Sequence, residues 1–311
     1  MKKIYYITAV FATLFLVGCG DGIDLPGVNV ETDLNKIPLP DNNVNLEQVE
    51  LKPSTEPMLH EGLHTEEDFQ RIRDKKAAGE EPWVSAYQLL VESQFSQKTA
   101  DTYPTEWIKR GISGDENYMN AARGATIVYQ QALRWKIEQD DEYAAKAVEN
   151  LNKWVQTCVG VTGNTNLSLA AGLYGYEFAI AGELLRDYGG WDRADFAAFQ
   201  NWLLKVFYPA NDDFLKRHHD TNALHYWANW CLCNIAAKMA IGIVTDRRDI
   251  YNEGIDHLQT GDTNGRLRRA IYHDYAPDYN FAQWQESGRD QGHTLMCVGL
   301  MGIICQLAWS Q

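Results

Sequence analysis

The chain has 311 residues, 45% of them hydrophobic and 12% aromatic, which is enough apolar material to bury one large core or two small ones. Its formal net charge of −14 argues against a nucleic-acid partner. Residues 20–57 hold eight acids against two lysines, so −6 of that charge belongs to this short stretch and −8 to everything else, and the acidity says little about the ligand of the main body.

Residues 1–19, MKKIYYITAVFATLFLVGC, join two lysines to an apolar run that is too short before the cysteine for a membrane span. That is the shape of a secretory signal. Its Leu16-Val17-Gly18-Cys19 ending resembles a bacterial lipoprotein cleavage box, which makes Cys19 the expected lipidated residue and the outer membrane, on its periplasmic or cell-surface face, the expected location. Residues 20–57 contain five prolines and no aromatic residue and read as a disordered acidic tether. The folded body is expected over 58–311. Five further cysteines, 158, 231, 233, 297 and 305, lie along apolar helical stretches and are expected as buried free thiols. Cys231 and Cys233 diverge by roughly 200° on a helix and do not converge on a metal, and no metal or cofactor is expected.

From residue 63 the periodicity is helical. Thr65-Glu66-Glu67-Asp68 has a capping-box pattern, and helices are expected near 65–78, 82–97, 117–139, 141–157, 168–188, 192–207, 222–244, 246–260 and 291–309. Short Gly, Asp and Asn breaks between them predict antiparallel helix pairs. The stretches 169–185 and 225–244 are apolar on more than one face and so should be enclosed by others, while 141–157 and 246–260 are more polar. Alternation of the two kinds predicts an all-α fold with an inner and an outer ring, an α/α toroid, over a solenoid, since no fixed-period repeat is visible. The apolar ending LMCVGLMGIICQLAWSQ, with no cap or basic last turn, is expected to continue into further sequence, which would make the ring here an incomplete α/α barrel.

Six of the eight histidines lie between 218 and 293, with Arg268, Arg269, Arg289 and several tyrosines in the same window. Imidazole, phenol, guanidinium and carboxamide together suit a task that holds an anion and moves a proton. Residues 283–294, QWQESGRDQGHT, concentrate these groups just before an apolar run.

The stretches GLHTEEDFQRIR (62–73), GNTNLSLAAGLYGYEFAIAGELLRDYGGW (163–191), HYWANWCLCNIAAKMAIGIVTDRRDIYNEGI (225–255) and QWQESGRDQGHT (283–294) resemble the alginate-lyase-like polysaccharide lyases, closest to polysaccharide lyase family 38. The likeness covers roughly 57–311, and Cys231 departs from it where a more polar residue is expected. It implies an α/α toroid that cuts a uronate-containing, anionic polysaccharide by β-elimination, using an Asn, a His, a Tyr and an Arg from separate helix ends. Carried onto this sequence, Asn166 neutralises the carboxylate, His225 abstracts the proton or neutralises, Arg289 holds the uronate or leaving oxygen, and His293 is expected as a further catalytic residue. Tyr275 is the expected acid/base, with Tyr226 second and a residue beyond position 311 third. Asn222, Tyr226, Gln283, Trp284, Glu286 and Gln291 are expected to bind substrate.

Ordinary readings stand beside these. Asn166 also fits a helix cap, His225 a core imidazole, and Arg289 an i,i+3 ion pair with Glu286. Trp227 and Trp230, at helical spacing in an apolar stretch, are expected in the core, and only Trp284 is favoured as a sugar contact. Two other functions remain open. A glycoside hydrolase would need two carboxylates across the bond, for which Glu286, Asp290 and Asp220 are available, and a non-catalytic glycan-binding lipoprotein would need only stacking platforms.

Overall fold

The structure is a computed structural model that describes residues 54–275 and 282–311. It is an all-α fold with four short strands. In chain order its elements are α1 (Glu66–Ala77), α2 (Trp83–Glu92), β1 (Trp107–Arg110), α3 (Tyr118–Glu138), α4 (Asp141–Thr157), β2 (Gly160–Gly163), α5 (Leu167–Leu184), α6 (Arg193–Val206) and α7 (Tyr208–Arg217). There follow α8 (Ala228–Val244), α9 (Arg248–Thr260), the single turn α10 (Leu267–Ala270), β3 (Ile271–Asp274), β4 (Ala282–Trp284) and α11 (Gln291–Trp309).

Helix starts follow the polar residues that precede them. Thr65 and Asp68 form the expected capping box on α1, Asp140 accepts from the Glu142 amide to start α4, and Asp192 accepts from the Ala194 amide to start α6. Gln139, in the left-handed region, ends α3 one residue before that next cap.

Four helices, α3, α5, α8 and α11, pack side by side in that order, with α4 outside α3 and α9 outside α8. Their apolar character explains the order: α5 and α8 bury almost every residue, whereas α4 and α9 keep one wet face. The N-termini of all four inner helices lie at one end. Arg110, stacked on Tyr118 at the start of α3, is paired in register with Gly163 just before α5. Ser168 in the first turn of α5 meets His219 in the loop leading to α8, and the first amides of α8 meet Gln285 and Glu286 just before α11.

The opposite ends are gathered by the chain entering the body. Gln311 bonds the backbone of Leu59 and Glu61, His60 lies beside Glu183 and Asp246, and Arg73 bonds the Lys136 carbonyl. Among the described residues the segment from Ser54 already touches the body, since Asn252 and Arg248 on α9 bond the carbonyls of Ser54, Glu56 and Pro57.

Several expectations change. The helix expected over 82–97 stops at Glu92, where Ser93 turns extended and the hydroxyl of Ser96 caps the Leu90 carbonyl. The helix expected from 222 starts at Ala228: the Asn222 side chain takes the Leu224 amide in a tight turn, and Trp227 is extended. Helix α7 was unforeseen, although Pro209 in its first turn is a helix-start signal. Four of the five described cysteines are buried free thiols as expected, but Cys305 is exposed. Helix α11 is long and apolar enough to cross a membrane by length and composition, yet here it packs along α8. Cys19 and the tether up to residue 53 lie outside the described residues.

Candidate functional site

The end at which the inner helices begin carries most of the chemistry. The parallel pair β1–β2 sets its first part, since Gly163, at a φ of 147°, brings its backbone against the Arg110 carbonyl where a Cβ would come within 1.7 Å of the oxygen. Only glycine permits that approach. The chain then turns through Asn164 and Asn166 into α5. Asn166 stands at the cap position but its own side chain caps nothing: its amide nitrogen donates to Asn164 Oδ1 at 2.9 Å, and that same oxygen accepts the Asn166 backbone amide at 2.9 Å. The ordinary explanation for an Asn at a helix start is therefore removed.

The second part is the loop 218–227. His218, His219 and Asp220 all have positive φ, between 49° and 58°. Consecutive left-handed non-glycine residues cost roughly 1–2 kcal/mol each and persist only where the surroundings fix them. What they achieve is the placement of His219, whose Nε2 lies 3.0 Å from Ser168 Oγ, with Tyr226 packed edge-on at 5.7 Å. His225, exposed, stacks edge-on against Tyr226 at 5.0 Å, and Tyr226 in turn is buried against Trp230. His225 thus lies on the open surface rather than in the core, in the loop before α8 rather than on it. Asn222 is exposed beside it. His219 was not singled out from the sequence; three left-handed residues in a row leave no pattern that propensity can detect.

Residues 283–294 serve the frame as much as the surface. Gln285 Oε1 accepts from the Ala228 amide at 2.8 Å and Glu286 Oε1 from the Asn229 amide at 2.9 Å, so α8 is capped by side chains from a remote segment. Glu286 is fully buried, and its other oxygen accepts from Arg289 Nη1 at 2.9 Å. Expected to touch substrate, Glu286 instead lies beneath the surface, because two buried donors and an arginine hold it there. The expected i,i+3 pair of Arg289 is present, but a third of that side chain remains exposed and its guanidinium lies 5.7 Å over the ring of Trp227.

Trp227, expected in the core, is 46% exposed, while Trp284 is half-buried and packed against the core from β4. The two indoles exchange their expected places because the helix starts one residue after Trp227. Asp290 caps α11 through the His293 amide, and its second oxygen holds His293 Nδ1 at 2.6 Å, so His293 is oriented by a carboxylate. The backbone bond from His293, first, and the imidazole itself hold Asp290 below the usual carboxylate range. Gln291 is exposed on the same turn. Tyr275 leaves β3 half-buried, with its hydroxyl 3.1 Å from Gln283 Oε1 and its ring edge-on to His273 at 4.5 Å.

The structure therefore links Ser168, two residues on from Asn166, through His219 and Tyr226 to His225, and brings Arg289 to this loop over Trp227. Gln283 and Tyr275 join through β4, which runs straight into Gln285 and Glu286. Two cavities lie away from this end. One of about 150 Å³ is lined by His60, His64 and Glu183 where the inner helices finish, and one of about 270 Å³ by Lys216, Lys238 and His257 on the outer face.

Residues 72–292, more than half of the chain, match the family model described as alginate lyase. Among curated proteins none matches.

Proposed function

We propose that this chain, which belongs to the alginate lyase family and is thus a polysaccharide lyase at family level, cleaves a uronate-containing polysaccharide by β-elimination at the mouth of its inner helices. The observation that carries the reading is Asn166: a carboxamide at a helix start that caps nothing itself, two residues before the Ser168 whose hydroxyl meets His219, which packs through Tyr226 on His225.

The C5 proton of a uronate becomes acidic only when donors stabilise the enolate-like charge that develops on the neighbouring carboxylate. Asn166 and His225 supply those donors, with His219 held by Ser168 beside them. Tyr275, tethered by Gln283, takes the C5 proton and returns one to the leaving O4. Arg289 keeps Nη1 on Glu286, with Nε 3.8 Å from Asp290, and offers its remaining nitrogen to the sugar acid, while Trp227 below it offers an exposed ring face. No step needs a metal or cofactor. We further place the chain nearest polysaccharide lyase family 38, on the strength of residues 283–294, and at the outer membrane through Cys19; Cys19→Ser should move the protein from the membrane to the soluble fraction, and unchanged fractionation would remove the anchor.

A hydrolase reading lacks its acid pair. Glu286 is buried and paired, Asp290 caps α11, and Asp220 is bound to Arg217. The test is a panel of polymannuronate, polyguluronate, glucuronan and glycosaminoglycans followed in the ultraviolet for double-bond formation. New reducing ends without new absorbance would overturn the elimination.

A further inference from the structure

Arginines in this protein are almost all satisfied or wet. Arg71, Arg73, Arg134, Arg186, Arg217, Arg247 and Arg289 have acid partners, and Arg248, Arg266 and Arg269 bond backbone carbonyls. Arg123, Arg193 and Arg268 are exposed to water. Arg110 alone among the described arginines is below the surface with neither: its Nη1 is buried and has no hydrogen-bond partner. A buried donor left unmade costs roughly 1–3 kcal/mol, more when charged, so its retention calls for an acceptor that arrives from outside.

Its setting says where that acceptor comes in. Arg110 ends β1 with its guanidinium 4.7 Å over the Tyr118 ring, which fixes the plane of the fork. Its register partner is Gly163, and the next residue, Gly111, leaves room for Asn164, whose Oδ1 would lie 1.9 Å from a Cβ there. Asn164 in turn holds Asn166. Arg110 is near enough to Tyr174 on α5 and Cys233 on α8 to act on both electrostatically, so its charge reaches inward between the two most enclosed helices. The start of α5 beside it carries no carboxylate, the Asn166 amide that leads into it being met only by the neutral Asn164 oxygen, whereas α8 and α11 are capped by Glu286 and Asp290. The one mouth of these three that lacks a carboxylate therefore has a guanidinium beside it whose buried Nη1 has no partner.

We propose that Arg110 is a substrate-binding residue that grips the carboxylate of an acidic sugar on the Asn166 side of the mouth, and so sets the requirement for a charged unit there. This rests on the uronate reading above but is tested separately from it. A guanidinium fork takes a carboxylate through two parallel bonds, which an ammonium cannot reproduce.

The experiment is calorimetric binding of a saturated hexamannuronate and of its carboxyl-reduced, neutral counterpart to the full chain and to its Arg110→Gln and Arg110→Lys forms, with thermal melts as the folding check. For the charged oligosaccharide, Arg110→Gln should bind at least tenfold more weakly and Arg110→Lys should fall between. The neutral oligosaccharide should bind all three alike. Equal affinity of the native chain and Arg110→Gln for the charged ligand overturns the proposal, as does absence of binding by the native chain. Double-bond formation is read in parallel: cleavage with unchanged Arg110→Gln affinity sinks Arg110 alone, whereas Arg110-dependent binding without any cleavage sinks the lyase reading alone.

Discussion

Glu286→Ala should unfold the mouth rather than subtract a sugar contact. Three interactions end with the carboxylate: the acceptor for the Asn229 amide, the acceptor for Cys297 Sγ at 3.1 Å, and the partner of Arg289. The Asn229 amide is left in a buried position, which costs about 1–3 kcal/mol, and loss of a helix cap alone is worth about 1 kcal/mol. Arg289, a third exposed, recovers part of its loss from water, so its share is well below the 3–5 kcal/mol of a fully buried pair. A total of about 3 kcal/mol follows, which for a body of this size lowers Tm by about 6–12 °C. Glu286→Gln keeps an oxygen for Asn229 and should cost about 1 kcal/mol. Circular-dichroism melts of the three proteins, with lyase rates at a temperature where all are folded, decide it. If Glu286→Ala melts like the native chain yet loses activity, Glu286 belongs to the chemistry and its assignment to the frame is wrong.

Asn166→Ala should abolish double-bond formation while shifting Tm by less than Asp192→Ala, since Asp192 holds the Ala194 amide at 2.7 Å and its loss costs about 1 kcal/mol, whereas Asn166 caps nothing. A larger Tm loss in Asn166→Ala returns it to a structural role. His64, half-buried under α3 with Nε2 2.6 Å from the Tyr129 hydroxyl, is held by burial at about 4, down from 6.5. The unfolded imidazole binds a proton below about 6.5 and the folded one resists until about 4, so stability is complete above that window and is lost as the pH falls through it. Urea melts at pH 7.5 and 5 should show a smaller difference for His64→Asn than for the native chain, though not none, because burial depresses His257 in the same way. An unchanged difference removes His64 from the acid limb.

How much of this was legible depended on whether a residue's partner was near in sequence. Helix starts at Thr65, Asp140 and Asp192 are local bargains between a side chain and an amide two or three residues on, and the apolar breadth of α5 and α8 declared them enclosed. The start of α8 was misplaced by six residues because its cap comes from Gln285 and Glu286, 57 residues away. That one displacement moved Trp227 from the expected core to the surface and Glu286 from the expected surface to the core. His219 and Arg110 went unmarked for the same reason: a left-handed loop and a four-residue parallel strand pair place them, and neither leaves a periodic trace.

The distribution of caps also bears on how an acidic protein meets an acidic polymer. With −8 of the formal charge lying outside residues 20–57, the body has no general attraction for a polyuronate, so recognition must be local. Helix N-termini carry partial positive charge, and four of them share one end of this fold. Two are already answered from within, α8 by Glu286 and α11 by Asp290, and these anions hold Arg289 and His293 in place rather than repel the ligand. The starts of α3 and α5 have no acid in their first turns, and Arg110 lies between them, stacked on Tyr118 and paired in register with Gly163. Asn166 stands there too, and a sugar carboxylate entering at α5 supplies the negative charge that the mouths of α8 and α11 obtained from their own chain.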